Sequence, residues 1–320
     1  MSHHSLSRHI CHAVVVANIF WATGLAVAAE VKNGFDITDA LVSSREILWG
    51  GVSRDGIPSI NKPKFVDVRR AKFLRDRDRV LGVYRNGIAK AYPIRILDRH
   101  EVVNDRFGDE LITVTYCPLC FSGMSFMSQA SDAPLTFGVS GLLYNSDVLL
   151  YDHQTESLWS QIRSQAISGP LQGASITPIP TAHTTWRDWR DRHPDTLVLS
   201  TDTGFRISYA TSPYREYQGT GQLMFPVSNR DGRYRNKELV LGVRIDGTQK
   251  AYPFEELRKH DRTSFGDAIG DEIVTIEWFE DDRYARILDS RGKEIPTVIV
   301  YWFAWFAFHP ETDVFQAGSG

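Results

Sequence analysis

Alternation of apolar and polar residues predicts a β-hairpin early in the chain. Residues 79–84 form an apolar, β-prone run, and residues 88–92 form a second one. Asn86-Gly87 lies between the two runs, and Asn-Gly is the strongest two-residue hairpin signal because both positions accept a positive φ. We therefore expect two antiparallel strands joined at this turn.

A helix is predicted directly after the hairpin. Pro93 suits a first helical turn, where its missing N–H costs nothing. The predicted helix carries the apolar residues Ile94, Ile96, Leu97, Val102 and Val103. We expect it to stop near Asn104-Asp105, and Gly108-Asp109 then turns the chain into a strand over 111–116. The predicted unit is β-β-α-β.

The same pattern returns later in the chain with matching residues. The matching segments are Val80–Val83 with Val240–Val243, Lys90–Pro93 with Lys250–Pro253, His100-Glu101 with His260-Asp261, Trp189 with Trp305, and His193-Pro194 with His309-Pro310. Asp246-Gly247 supplies the second hairpin turn. Matches of this extent indicate one supersecondary unit used twice.

We therefore predict a β-rich α+β fold built on a duplicated β-β-α-β unit. Copy one is expected at about residues 65–200, including a strand-rich insert, and copy two at about 225–315. The elements predicted between the copies are strands at 122–127, 134–138, 146–152, 157–161 and 196–200 and a short helix near 184–192. No Pro/Ser-rich linker separates the copies, so a single domain over residues 29–320, packed as one compact body, is expected.

The start of the chain has the pattern of a secretory signal peptide. Arg8 precedes an apolar run from Ala13 to Ala29, which closes on Ala26-Val27-Ala28. A charged start, an apolar middle and small residues at the end are typical of a cleaved signal. We predict that residues 1–28 are removed and that the protein is exported, to the periplasm or outside the cell.

Charge and hydropathy exclude two classes of partner. The net charge is −3 and no dense Lys/Arg run is present, so we expect no nucleic-acid partner. The second apolar block, Val298 to Phe308, is shorter than the roughly 20 residues that a spanning helix needs. A buried core segment is predicted there, and no membrane span in the mature chain.

The distinctive chemical feature is the pair Cys117 and Cys120, which directly follows the predicted strand 111–116. The second copy has Phe279 and Asp282 at the same register, so the repeated unit does not require cysteines. A Cys-x-x-Cys pair fits a redox dithiol, half of a metal site, or a nucleophile. In an oxidising compartment it also fits a structural disulfide.

Other side chains are candidate partners of the cysteines. His100 and Glu101 precede the cysteine strand, so His100 is a candidate third metal ligand and both are candidate catalytic groups, although His260 repeats His100 where no cysteines exist. Asn104 lies four residues after His100, which on a helix would place both on one face. The remaining candidate pocket residues are Tyr116, Tyr144, Asn145, Asp152 and Trp159.

Several motifs together resemble one family of bacterial and archaeal proteins. They are Val114–Cys120, Gly138–Asp147, Leu158–Gln161, Thr184–Trp186, Leu199–Gly204, and Trp302–Trp305 with His309-Pro310. Over about residues 45–315 the chain is similar to the family catalogued as Domain of Unknown Function 3179. The resemblance implies an exported protein and fold unity, and it brings no settled activity. Members often have Arg where this chain has His153, which argues against His153 as a ligand.

Two functions of different class follow from these residues. The first is an exported protein with a thiolate-centred metal or redox site at Cys117 and Cys120. Soft sulfur ligands favour copper or zinc over magnesium or calcium, and the partner would be a metal or a small molecule. The alternative is a non-catalytic binding module in which the two cysteines form a structural disulfide.

Overall fold

The computed structural model describes residue 1, residues 29–130 and residues 133–318. The signal peptide predicted at residues 1–28 therefore lies outside the described residues, except for Met1. Within the described part, no helix combines the length and the apolar character needed to cross a membrane.

Short strands make up most of the regular structure. In the first part of the chain they are β1 (Val31–Lys32), β2 (Phe35–Asp36), β3 (Ile47–Trp49), β4 (Phe65–Asp67), β5 (Arg79–Arg85), β6 (Ile88–Pro93), β7 (Val102–Phe107), β8 (Glu110–Cys117), β9 (Ser122–Met127) and β10 (Gln129–Ala130). The middle part has β11 (Ala133–Pro134), β12 (Phe137–Tyr144), β13 (Asp147–Asp152), β14 (Leu158–Ser160), β15 (Gln165–Ser168), β16 (Pro178–Ile179), β17 (Ala182–Thr185) and β18 (Leu197–Leu199). The last part has β19 (Leu239–Ile245), β20 (Thr248–Pro253), β21 (Ser264–Ile269), β22 (Glu272–Phe279), β23 (Tyr284–Leu288), β24 (Thr297–Tyr301) and β25 (Asp313–Val314).

Helices are few and short. They are α1 (Ile94–Leu97), α2 (Trp186–Arg192), α3 (Arg215–Gln218), α4 (Phe254–Lys259) and α5 (Trp302–Phe308), with 3-10 turns at Ser44–Glu46 and Val68–Arg70. α2 and α5 end directly before His193-Pro194 and His309-Pro310, as the proline rule predicts.

Five sheets of three to five strands carry the fold. Their strand orders are β15-β14-β13-β12-β3, β16-β9-β8-β7, β17-β5-β6-β18-β4, β24-β19-β20-β25 and β21-β22-β23, and β1-β2 and β10-β11 are two-stranded. We call β16-β9-β8-β7 the cysteine sheet and β21-β22-β23 the counterpart sheet. β9 of the cysteine sheet packs against β24, and β7 packs against β12.

The predicted fold class is wrong. The structure is 41% strand and 12% helix, and its five larger sheets are arranged as a five-bladed β-propeller. An α+β protein made from two β-β-α-β units is therefore not what the chain forms. The helices are single turns or little more, and they connect sheets without forming a layer of their own.

The length of the first helix accounts for part of this error. α1 ends at Leu97, and Val102 and Val103 belong to strand β7, which pairs along its whole length with β8. Glu101 has a φ of 56°, a left-handed conformation that ends the helical path. His100 and Asn104 therefore do not share a helix face, because the first lies in a turn and the second in a strand.

The predicted hairpins are confirmed. Asn86-Gly87 joins β5 to β6 and Asp246-Gly247 joins β19 to β20, and all four turn residues have positive φ values. Both halves also have a strand glycine that packs against a tryptophan ring. A Cβ on Gly82 would lie 2.1 Å from the ring of Trp189, and one on Gly242 would lie 2.3 Å from the ring of Trp305. The indoles thus occupy the space that these strand glycines leave open.

Candidate functional site

The cysteine pair lies at a tight connection inside the cysteine sheet. Cys117 ends β8 and pairs with Ser122 of β9, so Cys120 lies in the short turn between them. Phe121 takes a φ of 60°, which closes this turn. Both thiols are free, and the residues are 1% and 0% exposed. The local sequence thus places two sulfurs at one buried end of a hairpin.

A second hairpin tip meets the sulfurs. Asn145 and Ser146 both have positive φ values, 52° and 64°, as a two-residue turn between β12 and β13 requires. Asn145 Oδ1 accepts a hydrogen bond from Ser228 N at 2.8 Å, and Ser146 Oγ donates one to Phe225 O at 2.9 Å. These bonds fix the tip where Ser146 O accepts a hydrogen bond from Cys120 Sγ at 3.2 Å.

The same tip brings a carboxylate to the cysteines. One ligand atom each from Cys117, Cys120 and Asp147 lie within 4.8 Å of one another, and all three residues are buried. Ile162 N donates to Asp147 Oδ2 at 3.2 Å, and Ser122 Oγ lies 3.2 Å from Asp147 Oδ1. The carboxyl group is thereby oriented toward the sulfurs. Asp147 was not among the predicted ligands, although it closes a motif that the sequence singled out.

Burial controls the protonation of this cluster. Desolvation raises the pKa of Asp147 to about 7, against opposing hydrogen bonds from Ile162 and Ser122. Desolvation also raises the pKa of Cys117, and it raises that of Cys120 well above its usual range. No cation is among the largest influences on these three groups of the described chain. The cluster is thus a set of buried acids that lacks a positive partner.

Glu101 is a further buried acid near Cys117. Desolvation is the main cause that raises its pKa to about 8, and Asp147 and Asp98 add repulsion. Tyr214 Oη donates to Glu101 Oε1 at 3.4 Å. Glu101 is not part of the three-residue cluster, and at neutral pH its raised pKa keeps it mostly protonated beside Cys117.

A long connection between β18 and β19 covers the cysteine turn. Tyr217 Oη donates to Leu119 O at 2.9 Å, and Tyr301 N donates to Cys120 O at 2.9 Å. Lys237 Nζ lies 3.2 Å from the ring centroid of Tyr217. Aromatic residues of this segment, here called the cover (residues 213–228), shield the sulfurs from water. This cover was not predicted from the sequence, because the single short helix α3 is its one regular element among the described residues.

Several buried polar atoms near Tyr116 have no hydrogen-bond partner among the described residues. They are Tyr116 Oη, both ring nitrogens of His183, Arg79 Nε and Asp98 Oδ1. The Tyr116 and His183 rings are 5.9 Å apart, and His183 stacks on Phe121 at 4.4 Å. Buried polar atoms in proteins are normally hydrogen-bonded, so these atoms are exceptions close to the cysteine turn. Only Tyr116 was predicted as a pocket residue.

The predicted third ligand His100 is engaged elsewhere. Its Nδ1 lies 2.7 Å from Pro58 O and its Nε2 lies 2.7 Å from Tyr209 Oη. His100 is not part of the cluster of Cys117, Cys120 and Asp147. The structure therefore brings a carboxylate, and not this imidazole, to the sulfurs.

The other predicted pocket residues divide into two groups. Tyr116, Tyr144 and Asn145 lie on the strands and the turn that build the site. Asn104 instead links β7 to β12, because its side chain bonds both Phe137 N and Phe137 O. Asp152 and Trp159 bond each other, Nε1 to Oδ2, at 2.9 Å. These last three serve the packing of the sheet β15-β14-β13-β12-β3 and its neighbour.

Comparison with known proteins places the chain in a family. The model of a family described as "Protein of unknown function (DUF3179)" matches residues 54–312, which is most of the chain. No curated protein and no solved structure matches the chain. The resemblance noted from the motifs is thereby confirmed, and this chain belongs to the DUF3179 family.

Proposed function

We propose that this is an exported metalloprotein in which Cys117 Sγ, Cys120 Sγ and a carboxylate oxygen of Asp147 hold one transition-metal ion. The observation that carries the proposal is the approach of these three ligand atoms to within 4.8 Å of one another in a buried site. Small rearrangements of side chains suffice to bring such atoms to metal–ligand distances of about 2.0 to 2.3 Å.

The ligand set favours zinc. Thiolates select zinc or copper(I), whereas a carboxylate is an ordinary ligand for zinc and a poor one for copper(I). Copper is the second candidate, since both cysteines would serve it. Magnesium and calcium prefer sites made of oxygen ligands, and two sulfurs exclude them here.

Charge supports the same proposal. When the site is empty, burial keeps the two thiols protonated at neutral pH, and it raises the pKa of Asp147 to about 7, where the carboxyl group is about half protonated. A bound cation inverts this preference, since a coordinating thiol is deprotonated outright. Glu101 adds one more acid beside Cys117. The free thiols themselves are poor nucleophiles, which argues against a cysteine-dependent hydrolase.

Three protein ligands leave room for a fourth. Closed structural zinc sites use four protein ligands, whereas catalytic sites use three and keep one position for water or substrate. Glu101, with a pKa raised to about 8, would hold a proton in the neighbourhood of Cys117 at neutral pH. We therefore expect a fourth metal ligand that exchanges with water or substrate, and not a purely structural ion.

Metal analysis of the exported chain, purified without chelators, tests the proposal. We expect one equivalent of zinc or copper per wild-type chain and a substoichiometric amount in Cys117→Ser, Cys120→Ser and Asp147→Asn. Asp282→Asn, which changes the residue opposite Cys120 in the counterpart sheet, is the matched control and should retain the metal. A wild-type chain that neither contains nor takes up zinc or copper would end the proposal.

The same preparation separates the metal site from a disulfide. The binding-module alternative predicts a mass two hydrogens lower than the dithiol, and a lower melting temperature for Cys117→Ser/Cys120→Ser with ligand binding unchanged. The metal site predicts two thiols that become alkylated only after the ion is removed. Export is tested independently: the N-terminal sequence of the secreted protein should begin at or near Ala29, and a retained Met1 would contradict it.

A further inference from the structure

A cavity of about 140 Å³ lies between the cysteine sheet and the sheet β24-β19-β20-β25. Its apolar wall consists of Met124, Ile162, Ile179, Val243, Val298 and Trp305. None of the three residues of the proposed metal site lines it. The cavity is therefore a second, separate place where a small molecule could bind.

Polar residues line this cavity beside its apolar wall. Ser125 is 1% exposed, and its Oγ has no hydrogen-bond partner in the described chain. Arg244 and His309 line the cavity as well, and the side chain of Arg244 makes no ion pair with a described carboxylate. Because Arg244 is exposed, its guanidinium is the group that an anion entering from solvent can reach.

The potential at the cavity is positive. None of its lining residues is acidic. Burial lowers the pKa of His309 to about 4, and Arg244 and Arg163 lower it further by repulsion. The described polar partner of Arg163 is the hydroxyl of Tyr144, at 3.2 Å. Two guanidinium groups near an apolar space, neither neutralised by a carboxylate, favour an anionic group at its mouth.

The matching place in the other half of the chain has no arginine at the position of Arg244. Gly82, Trp189 and His193 line a pocket there, as Gly242, Trp305 and His309 do here. Tyr84 takes the place of Arg244 and stacks on the ring of His193 at 5.1 Å. That pocket also contains Glu294 beside its arginines. An unneutralised arginine at the mouth is thus specific to the cavity at Arg244.

We propose that this cavity binds a small monocarboxylate with a compact hydrocarbon or aromatic body. The carboxylate would contact the guanidinium of Arg244 and the ring of His309. The body would lie against Met124, Ile179 and Val298. An apolar cavity of about 150 Å³ accommodates benzene, so a ligand of the size of benzoate fits the space, with its carboxylate at the open side.

Titration with benzoate, followed by calorimetry, tests this proposal. We expect saturable binding to the wild-type chain, weakened at least about tenfold in Arg244→Gln because a charge-assisted hydrogen bond is lost. Arg206→Gln, which removes an exposed arginine outside the cavity, is the matched control and should bind as the wild type does.

A comparison of two ligands tests the role of the carboxylate, and a comparison with a cysteine variant tests whether the cavity is independent of the metal site. Benzyl alcohol has the same ring without the charge, and it should bind more weakly than benzoate in the wild type and equally in the wild type and Arg244→Gln. Cys117→Ser should leave benzoate binding unchanged, which separates this site from the metal site. Equal affinity for benzoate and benzyl alcohol, no effect of Arg244→Gln, or no wild-type binding at millimolar benzoate would each overturn the proposal.

Discussion

The turn after Cys117 and the turn after Phe279 have the same backbone but opposite surroundings. Cys117 pairs with Ser122 across the first turn, and Phe279 pairs with Tyr284 across the second. Phe121 and Arg283 take the same position with φ values of 60° and 45°. The first turn is buried almost completely, whereas Glu280 and Asp281 in the second are exposed.

The surroundings, and not the turn, make the difference. Cys120 is covered by the tip of β12–β13, by the cover and by Tyr301. Asp282 instead accepts hydrogen bonds from Thr185 Oγ1 and from Arg187 at the surface. The hairpin β12–β13 lies in the stretch between the repeated segments, and it brings Asp147 only to the first turn. The candidate metal site therefore depends on the segments that pack around the cysteine turn, and not on the hairpin that both halves share.

The largest predicted effect is that of pH on the free energy of unfolding of the metal-free protein. The pKa values of Asp147 and Glu101 rise on folding from 3.8 and 4.5 to about 7 and about 8. Their protonated forms stabilise the folded state fully below about pH 4, and this stability is lost as the pH rises through 7 and 8. Between its unfolded-state and folded-state pKa values, each group lowers the free energy of unfolding by up to about 1.4 kcal/mol per pH unit.

Urea unfolding of the metal-free chain between pH 5 and pH 8 measures this effect. We expect the free energy of unfolding to fall with rising pH, and Glu101→Gln or Asp147→Asn to flatten the decline. Asp261→Asn, at the exposed position matching Glu101, should leave the slope unchanged. A flat profile in the wild type would show that the buried acids are not protonated as described.

The next effect concerns the glycines that both halves share. Gly82→Ala and Gly242→Ala should each destabilise the fold by about 2 to 3 kcal/mol, because the new methyl group overlaps an indole ring. Gly266→Ala is the matched strand control, since the nearest atom to its added Cβ is 3.9 Å away. If one of the two shared glycines tolerated alanine, the two packing arrangements would not be equivalent.

A smaller effect is expected where the cover meets the cysteine turn. Tyr217→Phe removes the hydrogen bond from Tyr217 Oη to Leu119 O and should cost about 1 kcal/mol in thermal or urea unfolding. Tyr84→Phe provides the control, because Tyr84 is 59% exposed. Equal stability of the two variants would mean that this bond does not hold the cover in place.

The smallest effect is expected from transplanting the cysteines. Phe279→Cys/Asp282→Cys, made in a Cys117→Ser/Cys120→Ser background, reproduces the pair on the counterpart turn. We expect no gain of metal, since that turn is exposed and has no counterpart of Asp147. Stoichiometric zinc in this variant would show that the turn alone is sufficient and that its surroundings are not required.

Local features of the fold were predicted well from the sequence. Asn86-Gly87 and Asp246-Gly247 specify their turns through their own conformational preferences, and both hairpins form. The family motifs likewise marked the cysteine turn and the tip at Asn145. The helix predicted through Val103 failed because Glu101 adopts a left-handed conformation and β7 gains the pairing energy of β8.

Contacts between residues far apart in the chain could not be predicted from local sequence patterns. Asp147 meets Cys117 because two hairpins from different sheets pack end to end, and neither hairpin encodes the other's position. His100 was a reasonable ligand by sequence proximity, yet Pro58 and Tyr209 hold its ring. The five-sheet arrangement was missed for the same reason, since repeated segments report similarity and not how the sheets are placed.

Zinc-edge X-ray absorption on the metal-loaded wild-type chain tests the central claim most directly. The account predicts a first shell with two sulfurs at about 2.3 Å and oxygen or nitrogen ligands at about 2.0 to 2.2 Å. A first shell without sulfur, in a chain whose two thiols remain free, would contradict it.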